Sequence, residues 1–213
     1  MTPRERFNQL PERDQRAILD KHRDINTEYD WWDYTYENFK VDMEAKGIEV
    51  DRMFFSGFWS QGDGASFQGR IRDWTGFEEH HKIGLLPIHI EHLADWGAAN
   101  ISTSGNYSHS GTMRLTYEAP WPDSPDDSQF IESFCPYDDE LRIAVYMSEF
   151  CKLDYVSFEE AVIEACRDHA DQLYKDLEEE YEYLTSDEVV LDTMEANEML
   201  VEAIESITED ENA

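Results

Sequence analysis

Between Trp121 and Ala213 the chain carries 29 carboxylates against four cations, Arg142, Lys152, Arg167 and Lys175. Whatever this half folds into must keep almost every charge in water and still bury an apolar face. An amphipathic helix does both, because a stripe at spacings of three and four packs inward while the rest of the circumference stays wet. The stripe is present: Phe158, Val162, Cys166, Ala170, Leu173, Leu177, Tyr181 and Leu184 follow that spacing. Ser157 with Glu160, and Thr185 with Glu188, are spaced as capping boxes. Val190, Met194, Val201 and Ile204 carry the pattern into a last helix.

The first 120 residues read differently. Pro11 suits the first position of a helix over residues 11–25, with Ala17, Ile18 and Ile25 on one face. Tyr29, Trp32, Tyr36, Phe39 and Met43 mark a second helix over 29–46 and are expected in the core, with Gly47 as its stop. Residues 48–58 and 65–71 are β-prone and flank a turn containing Asp63-Gly64, a hairpin signal. Residues 77–96 are helical with a break at Pro87. A second hairpin joins residues 100–104 to 112–117. The expected fold is α+β. A small antiparallel sheet of about four strands packs with N-terminal helices, and acidic C-terminal helices follow. Residues 1–119 form the α+β core, 120–139 a polar Pro/Asp-rich connection, and 140–213 an acidic helical segment packed on the core.

A net charge of −32 over 213 residues excludes general nucleic-acid binding, because phosphate would repel the chain, and adhesion to anionic membrane. No apolar run is long enough to span a bilayer. The N-terminus has no apolar stretch after Arg4 and Arg6 and does not read as a secretory signal. Cys135, Cys151 and Cys166, odd in number and widely spaced, read as reduced thiols of a cytosolic protein.

The charge exceeds what solubility needs several-fold. A basic partner, imitation of nucleic-acid phosphate, or a saline cell interior would each account for it. The first two assign a partner surface to Asp168, Asp171, Asp176, Glu178, Glu179, Glu182, Asp187, Glu188, Glu195, Glu198 and Glu202. Rigid helices hold such carboxylates at separations near the phosphate repeat. A second reading is a small-ligand-binding protein or an enzyme, with a site at the Ser60–Gly64 and Gly105–Gly111 hairpin turns and Ser60, Gln61, Asp63, Arg70 and His109 as its polar groups. No catalytic set is expected. Ser60 and Ser66 lie in no nucleophile elbow, and Cys166 lies on the apolar stripe. His80, His81, His89, His92 and His109 lack zincin spacing and read as surface or capping residues. No motif calls for a cofactor or metal.

The string Ser56-Gly57-Phe58-Trp59-Ser60-Gln61-Gly62-Asp63-Gly64-Ala65-Ser66-Phe67, with Ile48 to Phe55 before it and Asp30-Trp31-Trp32-Asp33 upstream, resembles a family of tailed-phage proteins over about residues 28–118. The resemblance implies a phage gene product acting in the bacterial cytoplasm. Phages commonly encode small acidic proteins that block host defence or transcription, so it adds an acidic inhibitor of a host protein to the expectations.

Overall fold

Residues 48–71 alternate in polarity on both sides of a glycine-bearing turn, and that pattern closes the first hairpin. The computed structural model describes residues 1–96, 99–103, 108–117, Ser148 and 154–210. Strands β1 (Ile48–Phe55), β2 (Ala65–Ile71), β3 (Ala99–Thr103) and β4 (Met113–Tyr117) form one antiparallel sheet in the order β1-β2-β3-β4. Helices precede, interrupt and follow it, so the fold is α+β. The expected connection at 120–139, Cys135 and Cys151 lie outside the described residues.

The chain divides into two units, Met1–Thr35 with Asp176–Ala213, and Tyr36–Lys175. The second holds the sheet. Register puts Ile48, Ile71 and Ala99 in one row and Gly69, Ile101 and Leu115 in another, all on the face that carries Phe67. Phe67 and Ile71 are fully buried. The opposite face is polar, with Glu49, Arg70, Asn100 and Thr116 aligned across it.

Helix α3 (Asp33–Ala45) places Phe39 edge-on to Phe67 at 5.4 Å. It starts four residues later than periodicity suggests. Backbone turns, Trp31 N–H to the Tyr29 carbonyl and Asp33 N–H to the Asp30 carbonyl, occupy the chain before it. Tyr29 is therefore 80% exposed rather than core, while Phe39 and Met43 are buried as expected. Gly47 ends the helix at φ +81°.

Asp73 caps α4 (Trp74–His81) through the backbone N–H groups of Thr75 and Gly76. Pro87 opens α5 (Pro87–Trp96), where a missing N–H costs nothing. Helix α6 (Tyr155–Leu184) runs 30 residues. Its residues Phe158, Val162, Cys166, Ala170 and Leu173 are buried, and Phe158 packs 5.6 Å from Trp74. Ser157 is not its cap. The helix begins at Tyr155, and the Ser157 hydroxyl donates back to the Asp154 carboxylate.

In the other unit α1 (Pro3–Asn8) starts on a capping box made by Thr2 and Glu5. Its single turn is too short for periodicity to reveal. With α2 (Glu12–Lys21), α7 (Asp187–Ala196) and α8 (Met199–Asp210) it surrounds a core of Phe7, Ile18, Leu19, Val190, Leu191, Met194, Leu200, Ala203 and Ile204. Ser186, not Thr185, takes the N-cap position of α7. The Thr185 hydroxyl instead donates to the Tyr181 carbonyl and stays with the preceding helix. The expected single last helix is two, broken at Glu198, which adopts φ +62°. Arg4 pairs with Asp192 at 3.1 Å, Arg6 with Glu205 at 3.9 Å, and Arg23 with Asp187.

Candidate functional site

The loop between β1 and β2 is built by tight local bonding. The Asp63 carboxylate accepts from the Ser60 N–H at 2.7 Å, and the Asp63 N–H donates to the Ser60 carbonyl at 3.1 Å. Gly57 and Gly62 supply left-handed turns at φ +112° and +93°. Trp59 adopts φ +66° and is 72% exposed, a conformation that costs a bulky residue about 1–3 kcal/mol. Its ring lies 5.5 Å from Phe58, which lies 4.8 Å from Phe55 and 5.5 Å from Tyr174 on α6. An aromatic tier thus runs from the exposed loop to the helix.

The second hairpin meets this loop. The His109 Nδ1 accepts from the Gly111 N–H at 3.1 Å and caps a single 3-10 turn, Ser110–Thr112. A Cβ added at Gly64 would fall 2.5 Å from the His109 Cβ, so the two backbones touch and only glycine fits between them. Asp63, His109 and Ser110 thereby come to one cleft, whose far wall is Asp171 and Tyr174 of α6. A neighbouring cleft shares Ser110 and Asp171 and is walled by Glu160, Glu164, Arg167 and Asp168.

Glu160, Glu164, Asp168 and Asp171 are exposed and lie at spacings of four, four and three, so they share one helix face. Successive carboxylates rise by about 4.5–6 Å along the axis. None of the four forms an ion pair with a described residue. The cation among them, Arg167, is turned inward and donates through Nη2 to the Met113 carbonyl at 3.2 Å. The result is a groove of concentrated negative charge beside an aromatic tier, chemistry suited to an ammonium or guanidinium group.

Of the residues expected in a ligand site, Asp63 and His109 are brought together. Ser60 and Gln61 stay exposed on the loop and line neither cleft. Arg70 does not join them. It lies near the far end of β2 on the polar face and pairs with Asp51 at 3.1 Å and Glu49 at 3.8 Å. Strand alternation sends its side chain away from the Phe67 face. Of the expected partner surface, Asp168 and Asp171 line the groove. Asp176, Glu178, Glu179, Glu182, Asp187, Glu188, Glu195, Glu198 and Glu202 belong to the other unit. There Asp187 is tied to Arg23 and Asp176 is half-buried.

The histidines hold caps and one unforeseen pair. The His89 Nδ1 accepts from the Leu86 N–H at 3.2 Å, and His80 Nδ1 bonds the Gly76 carbonyl at 2.9 Å. His81 meets His169 at 2.7 Å between their Nε2 atoms. The two are 88 residues apart, and His169 lies at the edge of the apolar stripe, so no sequence pattern links them. Burial holds His169 down to about 4, with Lys46 and His81 adding to the effect, and burial also lowers His81. Cys166 is fully buried, and that burial pushes its thiol up to about 12. It is therefore expected to resist a thiol reagent at pH 8 until the chain is unfolded in guanidinium, which mass mapping of the labelled cysteines would check.

Residues 31–187 match a family model described as a domain of unknown function (DUF8835). No curated protein and no solved structure matches the chain. Among the described residues no helix is long and apolar enough to cross a membrane.

Proposed function

We propose, for a chain that belongs to the DUF8835 family, that it is an acidic interaction protein whose groove takes a Lys/Arg-bearing segment of a partner. The observation that carries this reading is the exposed row Glu160, Glu164, Asp168 and Asp171, unpaired with any described residue and set beside the aromatic tier of Trp59, Phe58 and Tyr174. Like charges at these spacings weaken the helix that bears them by a few tenths of a kcal/mol per pair, roughly 0.2–0.5. A basic partner would offset that cost. Association would be fast, steered by charge and sensitive to salt.

The finer form of the proposal is a phage-type inhibitor in the host bacterial cytoplasm, occupying a basic, nucleic-acid-binding surface by imitating phosphate. It is favoured by the resemblance of the Ser56–Phe67 string and by the carboxylate spacing along α6. Titration with an Arg/Lys-rich peptide tests the basic-partner form. Asp168→Asn with Asp171→Asn is expected to weaken binding at least tenfold at low salt, while Glu195→Gln with Glu202→Gln changes it less than threefold. Equal losses in the two pairs, or affinity unchanged between 50 and 200 mM salt, would sink it. Failure of DNA to compete for the same partner surface would remove the phosphate imitation alone.

A second reading is favoured by the contact of Gly64 with His109, which brings Asp63 and His109 into one cleft. There the ligand is a small cation such as a free amine. Asp63→Ala separates the two readings. Loss of amine binding with the peptide still bound favours the small ligand, and the reverse favours the partner segment.

A further inference from the structure

We propose that His81 and His169 form a two-histidine site for a divalent cation of the Zn²⁺ class, with water in the remaining coordination positions. Neither histidine lines the two clefts, and the proposal does not depend on the reading of the groove. His81 is the last residue of α4, and His169 lies in the middle of α6. Both are half-buried.

The hydrogen bonding of His81 fixes its tautomer. Its Nδ1 lies 2.7 Å from the Phe77 carbonyl, which only accepts, so Nδ1 carries the proton and the Nε2 of the neutral ring presents a lone pair. Metal-bound histidines are held in this way, the distal nitrogen donating to a carbonyl and so setting ring orientation. The ring is locked further by stacking on Phe77 at 4.1 Å and 28°. His169 Nε2 stands 2.7 Å from that lone pair, with the rings 83° apart. At this angle the rings meet edge to face and do not stack, and the two nitrogens face each other.

Without a cation a single proton, on His169 Nε2, bridges the pair. A tetrahedral Zn²⁺ with Zn–N of about 2.0–2.1 Å places two ligand nitrogens about 3.3 Å apart. The pair opens by about 0.6 Å to admit it, and His169 moves its proton to Nδ1. Among the described residues no group of three or more ligating side chains converges, which leaves water as the other ligand.

Calorimetric titration of the full chain with Zn²⁺, and Cu²⁺ electron paramagnetic resonance, both at neutral pH, test the site. The expected results are one nitrogen-ligated metal per chain, two nitrogens in the Cu²⁺ spectrum, and affinity at least tenfold weaker in His81→Gln and in His169→Gln. His80→Gln should bind as the parent does. Purely oxygen-ligated binding, which the carboxylates supply at high metal, overturns the proposal, as does binding that survives both substitutions. Should either variant lose its helical circular dichroism, the parent spectrum decides: two nitrogens uphold the site, and one or none overturns it.

Discussion

Phe67→Ala is expected to lower the stability of the sheet unit by about 3–5 kcal/mol, read as a fall in its urea midpoint. Phe67 is fully buried on the interior strand β2, opposite Met53 and edge-on to Phe39 at 5.4 Å. Its removal takes away the ring that joins the sheet to α3 and leaves a cavity that rigid strands on both sides cannot close. Total stability of a domain is commonly about 5–15 kcal/mol, so the variant stands near the threshold of unfolding at 37 °C. A loss below about 1 kcal/mol would mean that the site collapses and that Phe67 does not anchor the core.

Gly47→Ala comes next, with an expected cost of about 2–4 kcal/mol. Two penalties coincide there. The residue adopts φ +81°, and a Cβ would fall 2.1 Å from the Asp73 carbonyl oxygen. That oxygen cannot simply withdraw, because it accepts from the Phe77 N–H in the first turn of α4, and the Gly47 carbonyl in turn holds the Arg72 and Asp73 N–H groups. Gly84 is the natural comparison, since it adopts φ +90° with nothing within 4 Å of an added Cβ. Gly84→Ala carries the backbone strain alone, about 1 kcal/mol. Similar denaturation midpoints for the two variants would show that the close approach to Asp73 contributes nothing.

Acid adds a smaller effect of definite sign. The folded-state values of His81 and His169 lie below the ordinary 6.5, His169 at about 4. The unfolded chain therefore binds more protons between those limits. The stability contributed by the neutral pair is complete above pH 6.5 and is lost as pH falls toward 4, by roughly 1–2 kcal/mol after solvent screening. Shedding negative charge over the same range works in the opposite direction, so the comparison is with His169→Gln, whose pH profile should lack this component. Parallel profiles for the two proteins would contradict the assignment.

What the sequence revealed and what it hid have physical causes. Alternation on both sides of Asp63-Gly64 was enough for the first hairpin, because one strand register buries Phe67 and Ile71 while any slip of one residue buries Arg70. The long stripe on α6 was equally plain, since eight positions agree on one face. Boundaries were obscured where two capping residues stand side by side, as at Thr185 and Ser186. Tyr29 and Trp32 fit a helical spacing that backbone turns pre-empt. The site was half visible. Asp63 and His109 could be named, yet their meeting depends on backbone contact between two hairpins. Arg70 stands outside the site because it pairs with Glu49 at the end of the hairpin away from the turn, a distance along the strand that residue polarity does not report. The His81–His169 pair needed the tertiary fold, which no local window contains.

Phe7, Ile18 and Leu19 find their partners in Val190, Leu191, Met194 and Ile204. During synthesis the two sets leave the ribosome about 10–35 seconds apart at ordinary elongation rates. Throughout that interval the first helices present their oily faces with nothing to close against, so nascent chains would draw on chaperones. Products of premature termination would be marked for proteolysis even with an intact sheet.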